Sequence, residues 1–107
     1  MRPIPPKQRE EMANDPYYKK CCYPHYCSGK IEWHHNLIIA GRQSDIKETI
    51  LPLCQFIHER ARLTDVKEQL DLIMLKRMSE AQIGEISKAV NYHQRLRYLK
   101  GKYENQS

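Results

Sequence analysis

All four cysteines of this chain, and four of its five histidines, fall between residues 21 and 58. Cys21, Cys22 and Cys27 form one group, with His25 among them. The pair in Trp33-His34-His35-Asn36 forms a second, and Cys54 with His58, in Leu53-Cys54-Gln55-Phe56-Ile57-His58, a third. A short fold that brings these stretches together gathers thiolates and imidazoles, the donors a metal site requires. No other feature restricts the fold as strongly. A chain of 107 residues is one domain by length. Its core is modest, and a metal or disulfides help chains of this size to become stable.

The cysteines can serve either role. Disulfides go with export, yet Met1-Arg2-Pro3-Ile4-Pro5-Pro6 contains no apolar run of the signal-peptide kind. No stretch approaches the roughly 20 apolar residues of a membrane helix. The expectation is therefore a cytoplasmic protein with reduced thiols and no membrane partner, in which clustered Cys and His favour metal over disulfide. A formal charge of +5 and a pI near 9.1 suit a polyanionic partner, nucleic acid by default.

The chain divides into three parts. Residues 1–20 read as an N-terminal arm whose short helix starts at Pro5 and Pro6, runs through Met12-Ala13 and ends at Asn14-Asp15-Pro16. Residues 21–62 carry the Cys/His groups. After a Ser28-Gly29 turn, residues 30–35 fit a short strand, and residues 36–48 a loop. Ile50-Leu51-Pro52-Leu53 fits a buried extended segment, because Pro52 disfavours helix at Leu51. A helix is expected from about Cys54 to Arg62. Residues 63–107 read as a pair of helices. Thr64 is the expected cap of one carrying Val66, Leu70, Ile73 and Met74. Ser79-Glu80-Ala81-Gln82 opens the other, carrying Ile83, Ile86, Val90, Leu96 and Leu99 on one side. Its end is basic, a candidate DNA contact or a solvated face. The helices can pair within one chain or between two, so oligomeric state stays open.

On an extended strand, His34 and His35 point to opposite faces and cannot easily chelate one ion side by side. One can bind a metal while the other acts as a general base near neutral pH. The plain alternative is one packed and one solvated imidazole. Cys54 and His58, at i and i+4, share a helix face if the helix has begun by Cys54. With Cys21 or Cys22 and Cys27 they could then bind one purely structural zinc.

In this order, a cysteine group, a strand ending in His34-His35, a Gly-containing loop and Ile50-Leu51-Pro52-Leu53-Cys54 leading into a helix with His58, the residues resemble the HNH endonuclease family. The likeness is to small phage-type members with a cysteine knuckle, and it spans about residues 15–62. The stretch Ile39-Ala40-Gly41-Arg42-Gln43 adds to it. The resemblance implies an α+β protein with a ββα-metal core, hydrolysing DNA phosphodiester bonds, of phage or mobile-element origin. It implies His34 and His58 as ligands of a catalytic divalent cation (Mg²⁺ or Mn²⁺, with Ni²⁺ or Zn²⁺ as further candidates). His35 would be the general base. Structural zinc would fall to Cys21, Cys27 and Cys54, with Cys22 or His25 as fourth ligand. Arg42, Arg60 and Arg62 are the candidate phosphate contacts. Three positions depart from the family pattern. Thr49 stands where an Asn orients the base, a catalytic role that its hydroxyl or backbone carbonyl could still fill; Arg62 stands where a third metal-binding His is often found, and Ile57 where a second knuckle ligand is expected. The competing expectation is a zinc-stabilised DNA-binding module without catalysis.

Overall fold

Pro52 lies in the middle of the strand that organises the molecule. In the computed structural model, which describes residues 4–24, 27–39, 42, 43 and 46–104 (Ile39, Arg42 and Gln43 by backbone alone), strand β1 (Ile31–His35) pairs antiparallel with β4 (Ile50–Cys54). The register sets Ile31 opposite Cys54, Trp33 opposite Pro52 and His35 opposite Ile50. The outer edge of β4 is covered by the chain's beginning: Cys22 N–H donates to the Pro52 carbonyl at 2.9 Å, and the Tyr18 hydroxyl to Ile50 O at 3.0 Å. All five residues of β4 are buried, which is why the strand reads as an unbroken apolar run. The protein is thus a small α+β fold, with helices packed around this strand pair.

Helix α1 (Pro6–Ala13) begins on Pro6, whose missing N–H costs nothing in the first turn. It buries Met12 completely, in a cluster with Tyr18 and Ile50 against which Trp33 packs. A 3-10 turn, Pro16–Lys19, follows; the Asp15 carboxylate accepts from Tyr17 N–H at its start. Residues 4–20 are therefore packed cover for the strand pair, more than the arm read from sequence. Arg77 completes this side, stacking 3.8 Å from the Tyr17 ring and donating to the Tyr18 hydroxyl at 3.0 Å.

The expected loop over 36–48 contains a two-residue antiparallel ribbon, β2 (Ile38–Ile39) with β3 (Arg42–Gln43), and a 3-10 turn at Lys47–Thr49. Helix α2 (Gln55–His58) is a single turn instead of running to Arg62. Beyond it the chain tightens into i→i−3 bonds, Arg60 N–H to Ile57 O and Ala61 N–H to His58 O. The Arg60 guanidinium takes the freed Phe56 carbonyl at 2.7 Å.

Three helices follow where two were expected: α3 (Thr64–Arg77), α4 (Glu80–Ile86) and α5 (Tyr92–Tyr103). Thr64 is already the first helical residue of α3 and Leu63 holds the cap position, so Thr64 is not the cap. The capping box at Ser79 and Gln82 forms in both directions, at 3.0 and 3.1 Å. The single long helix predicted after it is broken over 87–91. There the Ser87 hydroxyl donates to Ile83 O and accepts from Tyr92 N–H, and Asn91 caps α5 through Gln94 N–H. Helix α3 buries more than the expected stripe: Leu70, Leu72, Met74 and Leu75 are core, and Glu68 and Asp71 are buried with them. Glu68 ties α3 to α5 by accepting from Lys102 and from the Tyr103 hydroxyl, each at 2.7 Å. Among the described residues, no helix is long and apolar enough to cross a membrane.

Candidate functional site

The two ends of the β1–β4 pair carry the two groups of donors. At one end, Ile31 meets Cys54 and the chain turns into α2. Gly29 makes that turn possible: its φ is +89°, and a Cβ there would sit 2.7 Å from the Gln55 Cβ. Gln55 N–H donates to Lys30 O and Phe56 N–H to Ser28 O, which lays residues 28–30 over the start of α2. Cys27 is thereby brought beside Cys54, and Cys21 joins them. The three sulfurs lie within 4.8 Å of one another. Tetrahedral ligands at about 2.3 Å from zinc are about 3.8 Å apart, so a small contraction would suffice for these thiols to hold a metal ion. Burial opposes the Cys54 thiolate. Hydrogen bonds from the Ile57 and Ser28 backbone and from the Cys21 and Cys27 thiols nevertheless bring its pKa below the usual value. Cys27 goes the other way, pushed up to about 12 by desolvation and by its sulfur neighbours. Cys22 is outside the trio; it hydrogen-bonds Tyr17, and burial pushes it up to about 11. His25 lies outside the described residues. Ile57 is core.

At the other end, β1 sends Glu32 and His34 to one side and Trp33 and His35 to the other. Trp33 packs edge-on to Tyr18, ring centroids 6.1 Å apart. The His34 ring stands 5.1 Å from the His58 ring, which α2 carries at its last residue. His58 donates from Nδ1 to Glu32 at 2.8 Å. That bond commits Nδ1 and orients the ring, leaving Nε2 as the nitrogen not held by Glu32. His34 is pulled down to about 4, first by burial and then by the charges of His58, Lys67 and His35, so it is neutral at pH 7. A cavity of about 910 Å³ wraps this end of the strand and is lined by His34, His35 and His58 together. Adjacent histidines on opposite faces therefore do share one space.

Thr49 is placed differently from expectation. It is 1% exposed and its hydroxyl donates to Ile46 O at 2.6 Å, so that proton is not offered to an imidazole. Its carbonyl accepts from Asn36 N–H at 3.0 Å, anchoring the residue that follows the histidine pair. Arg62 lines the cavity, whereas Arg60 lies on the Phe56 ring, 3.6 Å from its centroid. The Arg42 side chain lies outside the described residues.

The far wall of the cavity comes from the C-terminal helices and was not foreseen: Lys67 and Asp71 of α3, Tyr92 and Arg95 of α5. Asp71, though buried, accepts from Lys67 at 2.7 Å and from two Arg95 nitrogens at 3.0 and 3.1 Å. The one available signal was a carboxylate between Leu70 and Leu72 on an apolar face, since a buried charge needs partners. No protein-family model, curated protein or solved structure matches the chain.

Proposed function

We propose that the protein is a metal-dependent endonuclease of the HNH kind, with a ββα-metal core made by β1, β4 and α2, acting on DNA. One observation carries this reading. His34, His35 and His58 open onto a single cavity, with the neutral His34 ring 5.1 Å from a His58 whose Nδ1 is already committed to Glu32. The residues fit a divalent cation, Mg²⁺ or Mn²⁺ as the first candidates: two neighbouring imidazoles on the cavity lining would leave its remaining coordination positions to water and phosphate. His34 and His58 would hold the cation, which would supply positive charge to offset the negative charge that builds up during phosphodiester hydrolysis.

The chain's own residues then have separate tasks. His35 takes the proton from a water as its oxygen attacks phosphorus, and the P–O3′ bond breaks on the opposite side. Arg62 stands at the cavity as a phosphate contact, replacing the third imidazole of the family pattern with a fixed positive charge. Structural zinc on Cys21, Cys27 and Cys54 would hold the start of α2, and with it His58. His25 is the remaining candidate for the fourth ligand.

Supercoiled plasmid incubated with the purified protein tests the reading. Nicked or linear product with Mg²⁺ or Mn²⁺, abolished by chelator and by His35→Ala, is the expected result. A protein that binds DNA but never cuts with Mg²⁺, Mn²⁺, Ni²⁺ or Zn²⁺ would instead be the non-catalytic module.

A further inference from the structure

The cavity beside the histidines is larger and chemically more mixed than a phosphate and its cation require. At about 910 Å³ it falls among pockets that enclose a ligand of roughly nucleotide size. Its lining has two kinds of surface. Arg62, Lys67 and Arg95 set three cations on it against one carboxylate, that of Asp71. Lys67 and Arg95 both engage that carboxylate, at 2.7 and 3.0 Å, so positive charge is left over there, and Arg62 adds to it. The other surface is apolar. Leu37 and Ala61 are buried, while Ile38 and Val90, 61% and 48% exposed, stand at the mouth. Tyr92 joins them, half-buried against the core yet on the lining. The break between α4 and α5 builds this wall: Val90 lies in it, and Tyr92 opens α5 with its N–H held by the Ser87 hydroxyl at 3.1 Å.

We propose that this wall is a base-binding subsite, and that the histidine site acts on DNA with unpaired nucleotides beside the scissile phosphate, one base stacking on Tyr92. This deepens the endonuclease reading and rests on it for the bond that is cut. A paired duplex presents its phosphates and keeps the faces of its bases stacked inside, so it would meet the cations and leave the apolar wall in water. An unpaired strand offers both, phosphates to the cations and free base faces to the tyrosine ring and its aliphatic neighbours. An apolar peptide would cover the wall and leave the surplus positive charge unanswered. Exposed apolar side chains at the mouth of an electropositive cavity therefore select a strand whose bases are free. The C-terminal helices then belong to the site itself and are more than an outer surface for DNA.

The test is fluorescence anisotropy with two labelled DNA oligonucleotides of one sequence, one fully paired and one with a central unpaired stretch. Binding is measured at one fixed salt concentration without added divalent cation, and cleavage then follows with Mn²⁺. Wild type should bind the unpaired form about 10- to 100-fold more tightly and cut beside the unpaired stretch. Tyr92→Leu keeps apolar bulk and loses the ring, so it should bring the two affinities close together; Tyr92→Phe should keep them apart. A merely structural role would lower both affinities or the melting temperature and leave their ratio alone. Val90→Ser, at an exposed position, should lower the same ratio, and it keeps the test open if Tyr92→Leu does not fold. Wild type that binds both forms equally overturns the proposal, and so does a folded Tyr92→Leu protein with the wild-type ratio; plasmid cleavage in either case leaves the endonuclease reading standing. Preference for the unpaired form with no cleavage under any cation upholds the subsite and defeats the endonuclease reading.

Discussion

The two ends of one strand pair hold their donors in opposite ways. At the cysteine end three sulfurs from separate segments come within 4.8 Å of one another, with residues 28–30 laid over the start of α2. At the histidine end two rings stand 5.1 Å apart beside a cavity of about 910 Å³. A trio of thiols suits a stabilising ion, whereas imidazoles on the lining of a cavity leave positions for water and phosphate. The polar support differs too. The cysteine end draws on local backbone N–H groups, while the histidine end is braced by side chains from as far away as Asp71 and Arg95. On the proposed reading, strength is concentrated at one end and reactivity at the other, a division that mutation can pull apart.

The largest effect should fall on the cysteine end. Cys27→Ser or Cys54→Ser, or a strong chelator, should unfold the domain, because structural zinc supplies folding energy on the order of 10 kcal/mol in small domains. Thermal melts followed by circular dichroism would show it, and unchanged melting would erase the contrast between the ends. His35→Ala should melt close to wild type while cleaving DNA about 10²- to 10⁴-fold more slowly in a plasmid-nicking assay. His58→Ala should also lose cleavage, with DNA binding retained. An intermediate effect is expected for Arg62→Ala: weaker DNA binding of every sequence, with the slope of log affinity against log salt reduced by about 1 in fluorescence titrations.

The smallest effect tests the brace behind the histidine end. Hydrogen bonds from Lys102 and then Tyr103 hold Glu68 below the usual carboxylate range. A depressed carboxylate contributes its stability above its unfolded pKa, near 4.5, and loses it as pH falls through the folded value. Denaturant midpoints of Lys102→Ala and wild type should therefore differ most at pH 7 and converge below pH 4.5. Equal separation at both pH values would mean that Lys102 acts by packing alone.

What the sequence disclosed follows the range of the interactions. The β1 and β4 segments and the Ser79–Gln82 capping box were legible because strand alternation and caps act over a few residues, whereas the approach of His34 to His58 spans 24 residues and was implied only by the family resemblance. The length of α2 was overread, since its end is set by Arg60 turning back onto Phe56 O and not by any helix breaker. The break between α4 and α5 was missed although Asn91 announced a cap. Asn36 and Asp71 meet across 35 residues, and no local pattern connects them. The Thr49 hydroxyl, considered for the base, is spent inside its own turn.

The single turn of α2 has a consequence for how this chain can change. Cys54 stands at its head and His58 is its last residue, so the two backbone positions are about one helical pitch apart along the axis, some 5.4 Å. At 3.6 residues per turn, one residue inserted or deleted between them swings His58 by about 100° and carries it off the His34 side of the strand. The interval itself cannot change length, and the phase of one helical turn sets the alignment of the two positions.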